Sequence, residues 1–385
     1  MDKILRFKTK IMLKKSAIHV TLYFDHFSVT GKRKRQNQRI TKEFFKSMII
    51  KSVAYPRAAL IGNPSDGYNG KTIAFVFRNY RAEVQLYETP ELELLSSRRD
   101  YNCFKSLDAL SEDIAQYGYY GGIRLMKAAA KKFNEYCHAS GVELEKKNFT
   151  LKYFSDIPNR LGLAGSSAII TAAMKAMFRF YELEIDPAYL ANLVLSTERD
   201  ELGIPAGLQD RVAQAYNIPV FMDFDKEFMN KNGIGRYTPI DIPAELNIYV
   251  AYRTDLAEGS EILHSRLRDD YESGVPRVIA AMQEWASLTE QVKIALEKKD
   301  FAAIPALLDR NFDLRCEVCS GSVSAKNRRM VEIARSCGAS AKFTGSGGAI
   351  IGTYSDDAMF ENMRKAFKAE HIDLLKPDIV CEGNI

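Results

Sequence analysis

Three stretches of this chain bring glycines, hydroxyls and charged side chains close enough together to do chemistry. The first, Gly162-Leu-Ala-Gly-Ser-Ser-Ala168, lies between a strand-like run and a helix-like run with an apolar face. Glycine admits positive φ and lets a ligand approach the backbone, and amides at a helix N-terminus converge on an anion. Ser166 and Ser167 add hydroxyls suited to phosphate oxygens or to a hard divalent cation. It is not a Walker A loop, because no Gly-Lys-Ser/Thr closes it. The second, Thr344-Gly-Ser-Gly-Gly348, sits between two strand-like pieces, where clustered glycines mark close backbone approach. The third, residues 203–211, runs from a loop into a helix and puts Asp210 in its first turn with Arg211 beside it. The helix dipole there keeps a carboxylate ionised. Each stretch also has a plain structural reading: a tight strand–helix connection, a glycine-rich hairpin, and a surface ion pair of little energy.

The elements around these stretches follow from periodicity. Residues 52–61, 82–87 and 149–154 read as strands, the first leading into a Gly/Pro/Asn loop at 62–70. Helices are predicted over 121–137 and from Gly165 onward, where Ile169, Ala172, Ala173, Ala176, Met177 and Phe180 form one buried stripe. Asp186-Pro187 is an N-cap and first-turn pair that opens a helix running through Glu198. The polar stretch 226–236 reads as a domain boundary. Beyond it, 246–252 is strand-like, 278–298 a long helix, 341–353 strand–loop–strand, and 356–369 helical.

Bulk properties narrow the class. A chain of 385 residues points to two packed domains. With 46% hydrophobic and 27% charged residues it reads as an ordinary globular protein. No apolar run is long enough for a membrane span. The six cysteines, Cys103, Cys137, Cys316, Cys319, Cys337 and Cys381, are scattered, as expected of reduced thiols in a cytoplasmic protein. Cys316 and Cys319 lack a second pair at zinc spacing and read as two buried thiols on one helix. Residues 1–51 hold fourteen Lys and Arg against three Asp and Glu, while the whole chain holds 54 against 49. The basicity therefore belongs to an N-terminal extension of unknown role, with a charge cluster at 32–39, and the rest is mildly acidic. That balance argues against a nucleic-acid-binding body.

Taken in order with a fourth segment, Pro56-Arg-Ala-Ala-Leu-Ile-Gly-Asn-Pro-Ser-Asp66, these stretches resemble the signature set of GHMP kinases. That family carries a Leu-Ile-Gly-Glu-His-x-Asp opening, a Pro-x₃-Gly-Leu-Gly-Ser-Ser-Ala nucleotide loop and a late Lys-x-Thr-Gly-x-Gly-Gly-Gly loop. Ala164 departs from the second pattern and Asn63-Pro64 from the first. Within the family the chain is similar to glucuronokinases, through Gly62–Asp66, Tyr117-Gly-Tyr-Tyr-Gly-Gly-Ile-Arg124, Ala206–Gln214, Asn311-Phe-Asp-Leu-Arg315 and Lys342–Ala349. The similarity runs from about Ser52 to the end of the chain.

The resemblance implies an α+β, two-domain GHMP kinase fold. Residues 52–230 would form a ribosomal protein S5 domain 2-like half, and 231–385 a ferredoxin-like α/β plait, with ATP and sugar in the cleft between. It implies ATP-dependent phosphorylation, with Mg²⁺, of D-glucuronate to glucuronate 1-phosphate, which would feed UDP-glucuronate synthesis. Galacturonate, a galactose-like sugar or a mevalonate-type alcohol remain open as acceptors, as does a silent sensor of sugar and ATP. By resemblance Gly162, Leu163, Ala164, Gly165, Ser166, Ser167 and Ala168 cradle the triphosphate, and Ser167 with Glu198 ligates Mg²⁺. Asp210, flanked by Arg211, would sit beside the acceptor hydroxyl. Asn63, Ser65, Asp66 and Tyr68 would meet the sugar, while Thr344, Ser346 and Gly347, with Lys342, close over it. A sugar carboxylate asks for a guanidinium fork, and Arg57 and Arg211 are the candidates. No nucleic-acid or membrane partner is expected, and monomer and homodimer stay open.

Overall fold

Alternation along the strands sorts side chains between core and surface, as the pleat requires. The computed structural model describes residues 49–96, 121–158, 161–253, 261–319 and 323–381. The basic segment 1–48, Cys103, Tyr117–Tyr120 and the pair Asn159-Arg160 lie outside them. In β4 (Ala82–Thr89) Ala82, Val84 and Leu86 are buried while Glu83, Gln85 and Tyr87 are partly exposed. β4 pairs antiparallel with β1 (Ile50–Ala54) and β6 (Asn148–Ser155), and β5 (Glu93–Leu95) joins β6 in parallel, giving the order β1-β4-β6-β5.

A second sheet, β2-β3-β7-β8, is antiparallel throughout. It comprises β2 (Arg57–Ile61), β3 (Lys71–Val76), β7 (Val220–Asp223) and β8 (Arg236–Pro239). The single strand expected over 52–61 is thus two strands in two sheets. They part at Tyr55-Pro56, where proline cannot donate to a ladder. The stretch 226–236 is no linker either. It holds α5 (Lys226–Asn232), capped by Asp225, and the start of β8, so a division at 230 falls within the β7–β8 connection.

Helices α1 (Gly122–Ala139) and α2 (Gly165–Phe180) pack together, α2 against β1 and β4. α3 (Pro187–Ser196) starts where Asp186 accepts from the Ala188 N–H, and it passes into a π-helical turn, Thr197–Glu201. Glu198 therefore lies in that turn rather than at the end of an α-helix. α4 (Leu208–Tyr216) follows.

The second half contributes β9 (Ile248–Tyr252), β10 (Lys342–Phe343), β11 (Ala349–Thr353) and β12 (Asp373–Leu375) in the antiparallel order β10-β11-β9-β12. Counted in chain order within this half that is 2-3-1-4, the strand order of an α/β plait. Its helices are α6 (Glu261–Glu272), α7 (Pro276–Glu297), α8 (Ile304–Val318), α9 (Ala325–Ser336) and α10 (Asp357–Ala369). β9 sends Ile248, Val250 and Tyr252 into the large core shared with the first half, and Tyr249 and Ala251 into a smaller core beneath α9 and α10. Cys316 on α8 and Cys319 at its C-terminus are half-buried thiols outside any disulfide, less buried than expected. Among the described residues no helix is long and apolar enough to cross a membrane.

Candidate active site

β2 is buried along its whole length, and both glycine stretches lean on it. The Arg57 N–H donates to the Leu163 carbonyl and the Ala59 N–H to the Thr344 carbonyl, each at 3.0 Å. The two loops press together so closely that a Cβ on Gly162 would lie 2.8 Å from the Gly347 carbonyl oxygen. One on Gly345 would lie 2.7 Å from the Gly162 oxygen. Only glycine permits that approach.

At Ala164 the serine-bearing loop turns into α2 through a left-handed residue, φ 61°. A side chain there costs about 1–2 kcal/mol, and strain of this kind gathers at functional sites. Gln214 of α4 steadies the turn, its Nε2 donating to the Ala164 carbonyl at 2.9 Å and the Tyr55 carbonyl at 3.0 Å. Gly162, Ala164, Gly165 and Ser166 are half-exposed, whereas Leu163, Ser167 and Ala168 are buried. The loop therefore leaves backbone at Gly162, Ala164 and Gly165 partly open to solvent and anchors itself through Leu163.

Two arginines bind this loop to the first turn of α4. Arg57 is 3% exposed. Its Nη2 lies 2.5 Å from Asp210 Oδ1, and its Nη1 donates to the carbonyls of Gly162 (3.2 Å) and Thr344. Arg211 donates from Nε to Glu198 Oε2 at 2.5 Å, again from Nη2 to Glu198, and from Nη1 to the Gly207 carbonyl at 2.9 Å. The same Nη1 lies 3.3 Å from Asp210 Oδ2. Ser167 Oγ completes the chain, donating to Glu198 Oε1 at 3.1 Å.

Burial pushes the Asp210 carboxyl up, but Arg57 and Arg211 outweigh it and hold the group below its ordinary value. Glu198 moves the other way. Burial raises it more than Arg211 and Ser167 lower it. Asp66 is pushed up to about 7, chiefly by burial and then by the negative charge of Asp210, against the pull of Arg57 and Arg211. No ion pair tethers Asp66 among the described residues, and its carboxylate faces Gly207, where a Cβ would come within 2.6 Å.

The residues expected to meet a sugar divide into two groups. Arg57, Asn63, Ser65 and Thr344 are committed to the protein. Asn63 Nδ2 donates to the carbonyls of Phe343 (3.3 Å) and Gly345 (3.1 Å), and Ser65 Oγ to that of Lys71 (3.0 Å). Thr344 is fully buried, and its carbonyl holds Arg57. Lys342, expected to close over phosphate or sugar, instead points into the core and donates to the Ala59 carbonyl at 2.7 Å. Asp66, Ser346 and Gly347 are half-exposed. Tyr68 packs edge-on against Tyr271 of α6, and burial raises its hydroxyl to about 12.

Three further side chains hold the late loop and its neighbours; Asn311 and Arg315 bound one of the motifs that carry the resemblance but were given no role, and Asn327 was not singled out. Asn311 accepts from the Gly62 N–H at 2.8 Å and donates to the Asn63 carbonyl at 3.1 Å. Arg315, one turn on along α8, donates to the carbonyls of Gly345 (3.0 Å) and Ser346 (3.1 Å). Asn327 accepts from the Gly348 N–H at 2.8 Å. A signal existed for the first two: polar residues four apart share a helix face, here on a helix whose other buried residues are apolar.

The family description "GHMP kinases N terminal domain" matches residues 124–217, and "GHMP kinases C terminal" matches 292–373. Two Arabidopsis thaliana proteins are similar over most of their length. "Probable glucuronokinase 2" is 42% identical over 307 residues, 77% of this chain and 82% of that protein. "Glucuronokinase 1" is 40% identical over 306 residues, 78% and 84% respectively. Among solved structures, Lactococcus lactis galactokinase complexed with galactose superposes with TM-score 0.67 at 14% identity, covering 91% of this chain and 98% of that one. Methanococcus jannaschii mevalonate kinase gives 0.61 at 18%, covering 87% and 99%. At such identities the superpositions speak for the fold alone.

Proposed function

This chain belongs to the GHMP kinase family, and from that premise we propose that it transfers the γ-phosphoryl group of ATP to a hydroxyl of D-glucuronate, giving glucuronate 1-phosphate. The observation that carries the reading is the double tie of Asp210 to the serine-bearing loop. Arg57 links it to the Gly162 carbonyl, and Arg211 links it to Glu198 and Ser167. A carboxylate and a phosphate cradle held at fixed separation are what phosphoryl transfer asks of a protein, since its loose transition state needs positioning and charge neutralisation above all.

The half-exposed residues Gly162, Ala164, Gly165 and Ser166 at the N-terminus of α2 receive the triphosphate. Ser167 Oγ and Glu198 Oε1 form a hard-oxygen pair. Mg²⁺ is ordinarily held by one or two protein oxygens together with phosphates, so the pair fits that ion without a dedicated cage. Ser167 and Glu198 would hold such an ion, which would supply charge neutralisation at the phosphates. Arg211 keeps the Glu198 carboxylate oriented throughout.

Asp210 stays ionised at neutral pH, which makes it a strong acceptor of the substrate's hydrogen bond and a weak base. It orients the hydroxyl from the start and takes the proton late, once the oxygen–phosphorus bond is forming. Asp66 and Tyr68 line the acceptor end, and Ser346 and Gly347 cover it from the second half. We place the division between halves after β8, at about residue 240, and the reaction in the cytoplasm, a reading supported by the five cysteines outside disulfides among the described residues.

The test is ADP release with MgATP and a panel of glucuronate, galacturonate, galactose and mevalonate. Turnover with glucuronate at least tenfold above the others is expected. A faster reaction with galactose or mevalonate would remove the sugar-acid assignment, and sugar binding without ADP release would leave only a sensor.

A further inference from the structure

Among the described residues around the two glycine loops, Arg57 and Arg211 face carboxylates whereas Lys342 and Arg315 do not. Arg57 faces Asp210, and Arg211 faces Glu198 and Asp210. Lys342, whose ammonium donates to the neutral Ala59 carbonyl, is drawn well below its ordinary range by burial, then by Arg315 and Arg57. Arg315 is 2% exposed and, among the described residues, has no carboxylate within ion-pairing distance. Its two terminal nitrogens are spent on the neutral carbonyls of Gly345 and Ser346, and its Nε is buried with no acceptor. The guanidinium carbon stands 5.0 Å from the Phe343 ring centroid.

A buried guanidinium is costly unless an anion compensates it. Burial lowers its affinity for the proton, and the groups acting against that are Cys319, Cys316, Tyr68 and Asp66. The last two belong to the acceptor end of the cleft. Asp66 is a poor counter-ion at neutral pH, since its own carboxyl is pushed up to about 7. Arg57 and Arg211, the cations the sequence nominated for a sugar carboxylate, already have theirs. Among the described residues Arg315 is thus a buried guanidinium beside the late loop, held by carbonyls and faced by no carboxylate partner.

We propose that Arg315 is the specificity-determining cation of the acceptor site, the counter-charge against which the carboxylate of a sugar acid is recognised. The proposal rests on the reading of this chain as a sugar-acid kinase. It assigns Arg315 to the acceptor rather than to ATP, although a phosphate is also an anion. The role combines charge with placement, because the same guanidinium holds the carbonyls of Gly345 and Ser346 and so fixes the loop that covers the sugar.

The experiment compares glucuronate with glucuronamide, its neutral isostere, in wild-type enzyme, Arg315→Gln and Arg315→Lys, with the KM for ATP measured alongside. Wild-type kcat/KM should favour glucuronate on the order of a hundredfold, the range of a charge-assisted contact. Arg315→Gln should collapse that ratio to within about threefold of unity, mainly through loss with glucuronate, and leave the ATP KM within about twofold. Arg315→Lys, which keeps the charge, should hold the ratio above about tenfold. A wild-type ratio near one overturns the proposal without recourse to a variant. So does an Arg315→Gln enzyme that loses both substrates equally, which would make Arg315 a scaffold for the loop, or one whose ATP KM rises while the ratio stands. Wild-type turnover of galactose but of no uronic acid instead refutes the parent reading.

Discussion

Asp210 is favoured as an anion by two independent features, the first turn of α4 and the pair of arginines that grip its oxygens. Replacing it with asparagine keeps the shape and removes the charge and the final proton acceptor. Asp210→Asn should lower kcat by about a thousandfold, within the usual range for a positioned acid–base group, with the ATP dissociation constant nearly unchanged. Near-wild-type turnover would take Asp210 out of the mechanism. Asp66 presents the opposite case. Its carboxyl is pushed from an ordinary 3.8 to about 7 in the fold, so the native state binds a proton more tightly than the unfolded chain does. Stability contributed by this group therefore falls as pH rises through the window from about 4 to 7, and above it the buried charge is a cost. Asp66→Asn should consequently stabilise the protein at pH 8 by about 1–2 kcal/mol, discounted for its partial exposure, and by much less at pH 4, while impairing turnover. Urea melts at the two pH values measure the difference. Equal effects at both would show that Asp66 does not titrate in this window.

At the scale of elements, what could be read from the chain depended on whether the deciding contacts were local. α2 and the Asp186-capped α3 were legible because stripe and cap lie within a few residues of each other. The break at Tyr55-Pro56 was carried by a single proline inside an apolar run, and the rest of that run continued to read as one strand. β8 was missed because its residues are polar and mostly exposed, and its strand character comes from pairing with β7. The site divides likewise. The glycines of 162–168 and 344–348 announced close approach, and Gly162 and Gly345 do approach each other's loops. Their order in the chain matched a known pattern. The fate of Arg57 could not be read in advance. Residue type gives a guanidinium fork, but only the fold brings Asp210, Gly162 and Thr344 to it and uses the fork up. Arg315 is the converse, a motif residue whose role could not be read until the fold buried it, with its Nε left without an acceptor.

For the molecule as a whole, the two halves are less independent than their two family matches suggest. α7 belongs to the second half by sequence yet packs on β3 of the first, where Thr289 donates to the Lys71 carbonyl at 2.9 Å and Glu290 pairs with Lys71 at 2.5 Å. The end of the chain returns to the same sheet. The Val380 N–H donates to the Val76 carbonyl at 3.0 Å, and Val380 is 1% exposed. One hydrophobic core runs from Ala54 through Trp285 to Val380, and the plait adds only a smaller cluster on its far face. A shared core of this extent favours a single cooperative transition over the stepwise melting expected of two domains with a polar seam. Trp285 is the only tryptophan in the chain and is fully buried in α7, its Nε1 donating to the Asn311 carbonyl at 3.1 Å. Its fluorescence therefore reports the seam between the halves, while far-UV circular dichroism reports secondary structure throughout. In urea the two signals should change together, with midpoints within about 0.3 M of each other, a small fraction of the width of such a transition. Fluorescence changing a full molar before dichroism would mean that the halves separate before they unfold. The seam that Arg57 and Asn63 bridge by their bonds to Thr344, Phe343 and Gly345 would then be a hinge rather than a fixed frame.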